Sequence, residues 1–134
     1  MFQSLAMAVA CSLLAAAACA QDMSNVDCTN TPVQQEMNLC AEQDWMEADA
    51  DLNATYKEAM AVMKGYDANL PNTERGAELN LRAAQRAWVS FRDAACAAEG
   101  FAMHGGSAEP LLIYGCRARL TRQRAEDLHL LSAY

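Results

Sequence analysis

From Thr31 to about Tyr66, apolar and small residues recur at helical spacing. Met37, Cys40, Ala41, Ala48, Leu52, Ala59, Val62 and Met63 fall on one stripe, shared with Asp44 and Thr55. Gln43, Glu47, Lys57 and Lys64 occupy the opposite side. This period predicts one unusually long amphipathic helix. Thr31-Pro32-Val33-Gln34 reads as its start: threonine as cap, proline in the first turn, and Gln34 reaching back as in a capping box.

Gly65 to Pro71 is rich in helix-ending residues and forms the first predicted turn. Asn72 or Thr73 then caps a second helix, with Glu74 in its first turn where the helix dipole favours an acid. That helix runs through Leu79, Leu81, Ala84, Trp88, Phe91 and Ala95 to about Cys96 or Ala98. Glu99 to Ser107 is a second loop, and Ser107 is the expected cap of a third helix carrying Glu109 and Pro110 in its first turn. Ile113, Cys116, Leu120, Leu128 and Leu131 form its apolar stripe. No segment alternates with the period of a strand. The expected fold is therefore all-α, an up-down-up bundle of three main helices.

Methionines 37, 46, 60 and 63 fit helical packing better than a metal-binding cluster, and Trp45 and Trp88 read as core or core-edge aromatics.

The N-terminus changes the count of residues that build this bundle. Leu5 to Ala18 is an apolar run too short to span a bilayer comfortably, and Ala18 and Ala20 supply small residues at −3 and −1 before Gln21. Residues 1–20 are thus expected to be a signal peptide cleaved after Ala20, leaving 21–134 as one helical domain in the periplasm or outside the cell. The other processing route is a lipoprotein at Cys19, but the position three before it is Ala16, where such sites favour leucine. After cleavage no membrane attachment is expected.

Cleavage leaves Cys28, Cys40, Cys96 and Cys116, and four cysteines in a small exported domain read as two disulfides. Three pairings are possible, and spacing does not choose among them. In an up-down-up bundle all four cysteines fall near one end, where cross-links would hold the three helices together. Their spacing matches no zinc pattern, and neither His104 nor His129 stands at ligand spacing to a cysteine, so no metal and no cofactor are expected. Residues 1–20 carry no charged side chain, so the mature chain keeps the whole net charge of −7. That balance disfavours nucleic acid and anionic membranes and suits a basic partner.

Polar residues on the inner faces are the first candidates for chemistry. Gln85, Trp88, Arg92 and Cys96 share one face of the second helix, spaced three, four and four apart. The first helix contributes Asp49, Asn53 and Tyr56, and the third Arg124 between Leu120 and Leu128. Aspartate facing arginine satisfies both, which favours a structural polar network that fixes helix register; a ligand-binding pocket is the functional alternative. The other candidate is the second loop, where Phe101, Met103 and His104 either offer an apolar and imidazole contact surface to a partner or, as Phe101 and Met103 equally permit, fold back to cover the bundle end.

Catalysis lacks its parts. The mature cysteines are expected to be oxidised, and no serine sits in a GxSxG elbow. Asp49 and Asp51 stand two apart and point to different sides of a helix, and the glycines of the second loop lack the lysine of a phosphate loop. The chain is not expected to be an enzyme.

Together the motifs resemble the lysozyme inhibitor LprI-like N-terminal family of small exported bacterial proteins. The matching residues are Cys28 with Thr31; Cys40; Ala48-Asp49-Ala50-Asp51-Leu52-Asn53 with Tyr56; Gln85-Arg86-Ala87-Trp88-Val89 with Phe91-Arg92-Asp93 and Cys96; Gly105-Gly106-Ser107; and Cys116, Leu120-Thr121, Arg124 and Leu128. The resemblance implies a helical, disulfide-bonded periplasmic or secreted domain. It also implies a non-enzymatic role like that of lysozyme inhibitors, binding a peptidoglycan-cleaving enzyme such as lysozyme by surface complementarity. The alternative is a cell-envelope module that binds a small ligand or another envelope protein through Arg92, Asp49 and Arg124.

Overall fold

The computed structural model describes residues 26–133; the expected signal peptide, Cys11 and Cys19 lie outside them. Three long helices follow one another: α1 (Gln34–Ala68), α2 (Ala77–Gly100) and α3 (Glu109–Ser132), with a short 3₁₀ turn at Phe101–Met103. Among the described residues there is no strand. The 35 residues of α1 give it a length of about 52 Å, against about 36 Å for each of the others. Helix α1 packs chiefly against α3, with α2 laid on the pair. The fold is the expected up-down-up bundle.

Its interior changes character along the bundle axis. At the end where α1 finishes and α2 begins, Leu52, Ala59, Met60, Met63, Leu81 and Leu128 form an apolar cluster, with Tyr56, Val62 and Leu131 packed against it. At the other end the buried positions include Arg92, Cys96, Gly100 and Cys116, with the small Ala48 and Ala118. Some apolar residues of the predicted helices lie outside. Met46 is exposed, and so are Leu79 and Phe91 on α2, because its buried stripe runs Leu81, Arg92 and Cys96 and turns those two side chains away from α3.

Both disulfides form: Cys28 with Cys40, and Cys96 with Cys116. They do not join three helices, as the clustering of cysteines at one end suggested. Cys28–Cys40 ties the N-terminal arm to α1, and Cys96–Cys116 joins α2 to α3. Among the described residues, side-chain packing, hydrogen bonds and ion pairs such as Arg92–Asp49 and Arg122–Asp44 hold α1 to the other two helices. One such bond runs from Asn38 Nδ2 to the Ser107 carbonyl at 2.9 Å. Beside the second disulfide the helices meet so closely that a Cβ on Gly100 would stand 2.6 Å from Ile113 Cγ1.

The helix ends use different residues from those expected. Val33 is the residue before α1; Thr31 accepts from its N–H and donates to the Glu36 carboxylate, and no bond links Gln34 back to Thr31. Helix α2 starts at Ala77 rather than after Asn72 or Thr73. Its first free N–H groups are taken by Asp67 of α1, whose carboxylate accepts from Gly76, Ala77 and Glu78 at 2.8, 2.9 and 3.0 Å. Three N–H donors from one helix N-terminus satisfy a carboxylate better than a single cap does. They hold the Asp67 carboxyl below its ordinary value, the Gly76 N–H contributing most. Ala108, not Ser107, precedes α3, and Pro110 sits in its first turn as expected.

Two outcomes follow. Gly100→Ala should lower stability by about 1–3 kcal/mol, since the β-branched Ile113 must shift; urea unfolding checks it. Asp67→Ala should lower Tm by about 4 °C at neutral pH. Because the folded pKa is depressed, that contribution is complete above the ordinary value of 3.8 and is lost as pH falls through the lower folded value. The Tm difference between wild type and variant should therefore narrow in acid.

Candidate functional site

Helices α1, α2 and α3 bring charged and aromatic side chains together just inside the Cys96–Cys116 bridge. Arg92 is the centre. Its side chain is 8 % exposed, and it donates from Nη1 to Asp49 Oδ1 at 3.2 Å and from Nε to Asp93 Oδ1 at 3.0 Å. Its guanidinium carbon stands 5.4 Å from the Trp45 ring centroid and 5.2 Å from that of Trp88. Arg117 of α3 lies 4.9 Å from the Trp45 ring and 3.4 Å from Asp93 Oδ1, an ion pair without hydrogen-bond geometry. Tyr114 stacks on Trp45 at 5.8 Å. Burial and a bond to the Glu42 carboxylate push its hydroxyl above the usual tyrosine value.

A guanidinium is planar and weakly hydrated, so it can lie over aromatic rings while its edge donates to carboxylates. Asp49 and Asp93 are 40 % and 42 % exposed, so the cation is buried while its counter-charges reach water. That arrangement limits the desolvation cost to one ion.

The residues proposed from sequence as one network separate into distinct places. Asp49, Arg92 and Trp88 meet as described. Asn53 lies at the exposed rim, where its Nδ2 donates to Asp49 Oδ2 at 3.1 Å. Arg124 does not reach Asp49; its Nε donates to Gln85 Oε1 at 3.1 Å, about two helical turns from Arg92. Tyr56 packs against the apolar cluster. Trp45 takes a larger part than a core-edge aromatic would, and Asp93, Tyr114 and Arg117 were not foreseen. The available signal was the sequence Arg92-Asp93 and the position of Arg117 directly after Cys116.

The loop after α2 places Phe101 and Met103 in water, 65 % and 51 % exposed. His104 stacks on Phe101, ring centroids 4.4 Å apart and nearly parallel. Glu109, in the first turn of α3, braces this loop. Its carboxylate accepts from the Gly105 N–H at 2.8 Å and contacts His104 Nδ1 at 3.1 Å. Those contacts, the Gly105 N–H first, hold the Glu109 carboxyl below its usual value. Gly105 turns the chain at φ 74°, where a side chain would be strained. The outcome is an apolar, aromatic tip on a fixed backbone.

The model of the family described as lysozyme inhibitor LprI matches residues 24–128. The chain belongs to the lysozyme inhibitor LprI family. The match spans both disulfides, the Arg92 layer and the Phe101–His104 loop. An uncharacterised protein of Rhizobium meliloti is 44 % identical over 105 residues, covering 76 % of each chain. The crystal structure of a DUF1311 family protein from Pseudomonas putida superposes with a TM-score of 0.66 at 28 % identity, over 78 % of this chain and 98 % of that one. Among the described residues no group of three His, Cys, Asp or Glu side chains is placed to hold a metal, and no helix is long and apolar enough to cross a membrane. Two disulfides suit an oxidising compartment.

Replacing Arg92 by Ala removes the cation from two carboxylates and two indoles, and should cost about 2–3 kcal/mol in urea unfolding, the exposure of the aspartates keeping it below a fully buried pair.

Proposed function

We propose that this protein is exported by a signal peptide spanning residues 1–20, and that residues 21–134 act in the periplasm or outside the cell as a non-enzymatic inhibitor of a peptidoglycan-cleaving enzyme. Membership of the lysozyme inhibitor LprI family carries this reading. The contact surface is the braced tip formed by Phe101, Met103 and His104, with Glu99 and Glu109 near it. Large apolar groups held in water on a fixed backbone lose little conformational freedom when a partner covers them. A net charge of −7 speeds encounter with a basic lysozyme.

A second reading, a small anionic ligand bound at the Arg92 layer, draws on one observation: the buried Trp45 Nε1 and Arg117 Nε have no hydrogen-bond partner. Against it, the Arg92 guanidinium is already engaged by two carboxylates and two rings. An Arg92→Ala variant that stays folded yet loses a ligand would favour this second reading.

The test is cell-wall lysis by several lysozyme types in the presence of the exported protein. Inhibition should be saturable, and Phe101→Ala with Met103→Ala should weaken it at least about tenfold without changing Tm. Undiminished lysis at large molar excess across all lysozymes would overturn the proposal. N-terminal sequencing of the exported protein should begin at Gln21.

A further inference from the structure

The outward face of α2 is uncharged along most of its length. Ala83, Ala87, Ser90, Ala94 and Ala97 recur at alternating spacings of four and three and are all exposed. This is the period of a helix–helix seam, and it lies on the side of α2 turned away from α1 and α3. The two edges of the seam differ. Along one run Ala84, Phe91 and Ala98, with Phe91 60 % exposed. Along the other stand Arg86 and Asp93, one heptad apart and of opposite charge.

We propose that this face docks against the same face of a second copy of the chain, with the two α2 helices antiparallel about a two-fold axis close to Ser90. The edges choose the orientation. In an antiparallel pair each edge meets its own kind, whereas in a parallel pair the Arg86–Asp93 edge would lie against Ala84, Phe91 and Ala98 and strand its charges on apolar surface. Arg86 and Asp93 lie equally far on either side of the 89–90 peptide bond. The two-fold therefore sets each Arg86 beside the second copy's Asp93, forming two identical ion pairs. Asp93 is placed for this: its contacts to Arg92 and Arg117 both use Oδ1, and its side chain is still 42 % exposed. Small side chains along the seam let the backbones approach closely, and Phe91, beside the axis, is covered from both copies. A seam free of charge also lets two chains of net charge −7 meet without like charges opposed at the contact. One helix face of about 36 Å is at the small end of stable interfaces, so association should fall in the micromolar range.

Sedimentation equilibrium of the exported protein from about 1 to about 500 µM reads this directly. Mass should rise from one chain toward two. Ser90→Glu, which sets two carboxylates face to face at the axis on an exposed helical position, should keep the protein monomeric with an unchanged low-concentration melting curve. Arg86→Glu, which opposes like charges, should weaken dimerisation at least tenfold. A monomer across the whole range would overturn the proposal, as would a dimer that both variants leave intact. A monomeric wild type whose lysozyme inhibition is lost in Ser90→Glu would assign the face to the hydrolase instead.

Discussion

One buried guanidinium organises this bundle. Arg92 projects from α2 over the indole of Trp45 on α1 and that of its own helix's Trp88, and its donors engage Asp49 of α1 and Asp93 of α2. A cation in that position cannot be left unpaired without a large desolvation cost. The first helix must therefore sit at the rotation and height that bring Trp45 and Asp49 to it. A leucine core constrains register through shape alone. A charge with fixed partners adds direction, and the third helix is drawn in through Arg117, which meets both Trp45 and Asp93.

The covalent framework gives that layer its importance. Because Cys96–Cys116 joins α2 to α3 and Cys28–Cys40 closes only the arm onto α1, no disulfide prevents α1 from separating from the other helices. The apolar cluster at the far end holds them by burial, and the Arg92 layer does so beside the bridge. Between them lies Thr121, wholly buried on α3. The Phe101–His104 tip and the outward face of α2, the two surfaces proposed to meet partners, both lie outside this packed interior. The first is braced by Glu109, the second by the helix itself.

What the sequence made legible was what has a period. The three helices, their order and the stripe from Gln85 to Cys96 follow from spacing, because a helix repeats its faces every 3.6 residues. The helix ends did not follow, since the group that caps α2 is Asp67, nine residues before Gly76 and on another helix. The exposure of Leu79 and Phe91 did not follow either, since a bundle of three helices leaves one side of α2 uncovered even where it is apolar. The separation of Arg124 from Asp49 was hidden for a related reason. Spacing fixes which face a residue occupies, but not the height at which two helices meet. Asp93 was the subtler omission: adjacent to Arg92, it sits about 100° further round the helix and off the stripe of Gln85, Trp88, Arg92 and Cys96, yet it bonds the arginine next to it.

Arg92 meets Trp45 across the contact between α2 and α1. A double-mutant cycle on urea unfolding, with Arg92→Ala, Trp45→Ala and the pair, measures that coupling alone. A coupling energy of about 1 kcal/mol or more is expected. Stability losses that add to within about 0.3 kcal/mol would contradict it.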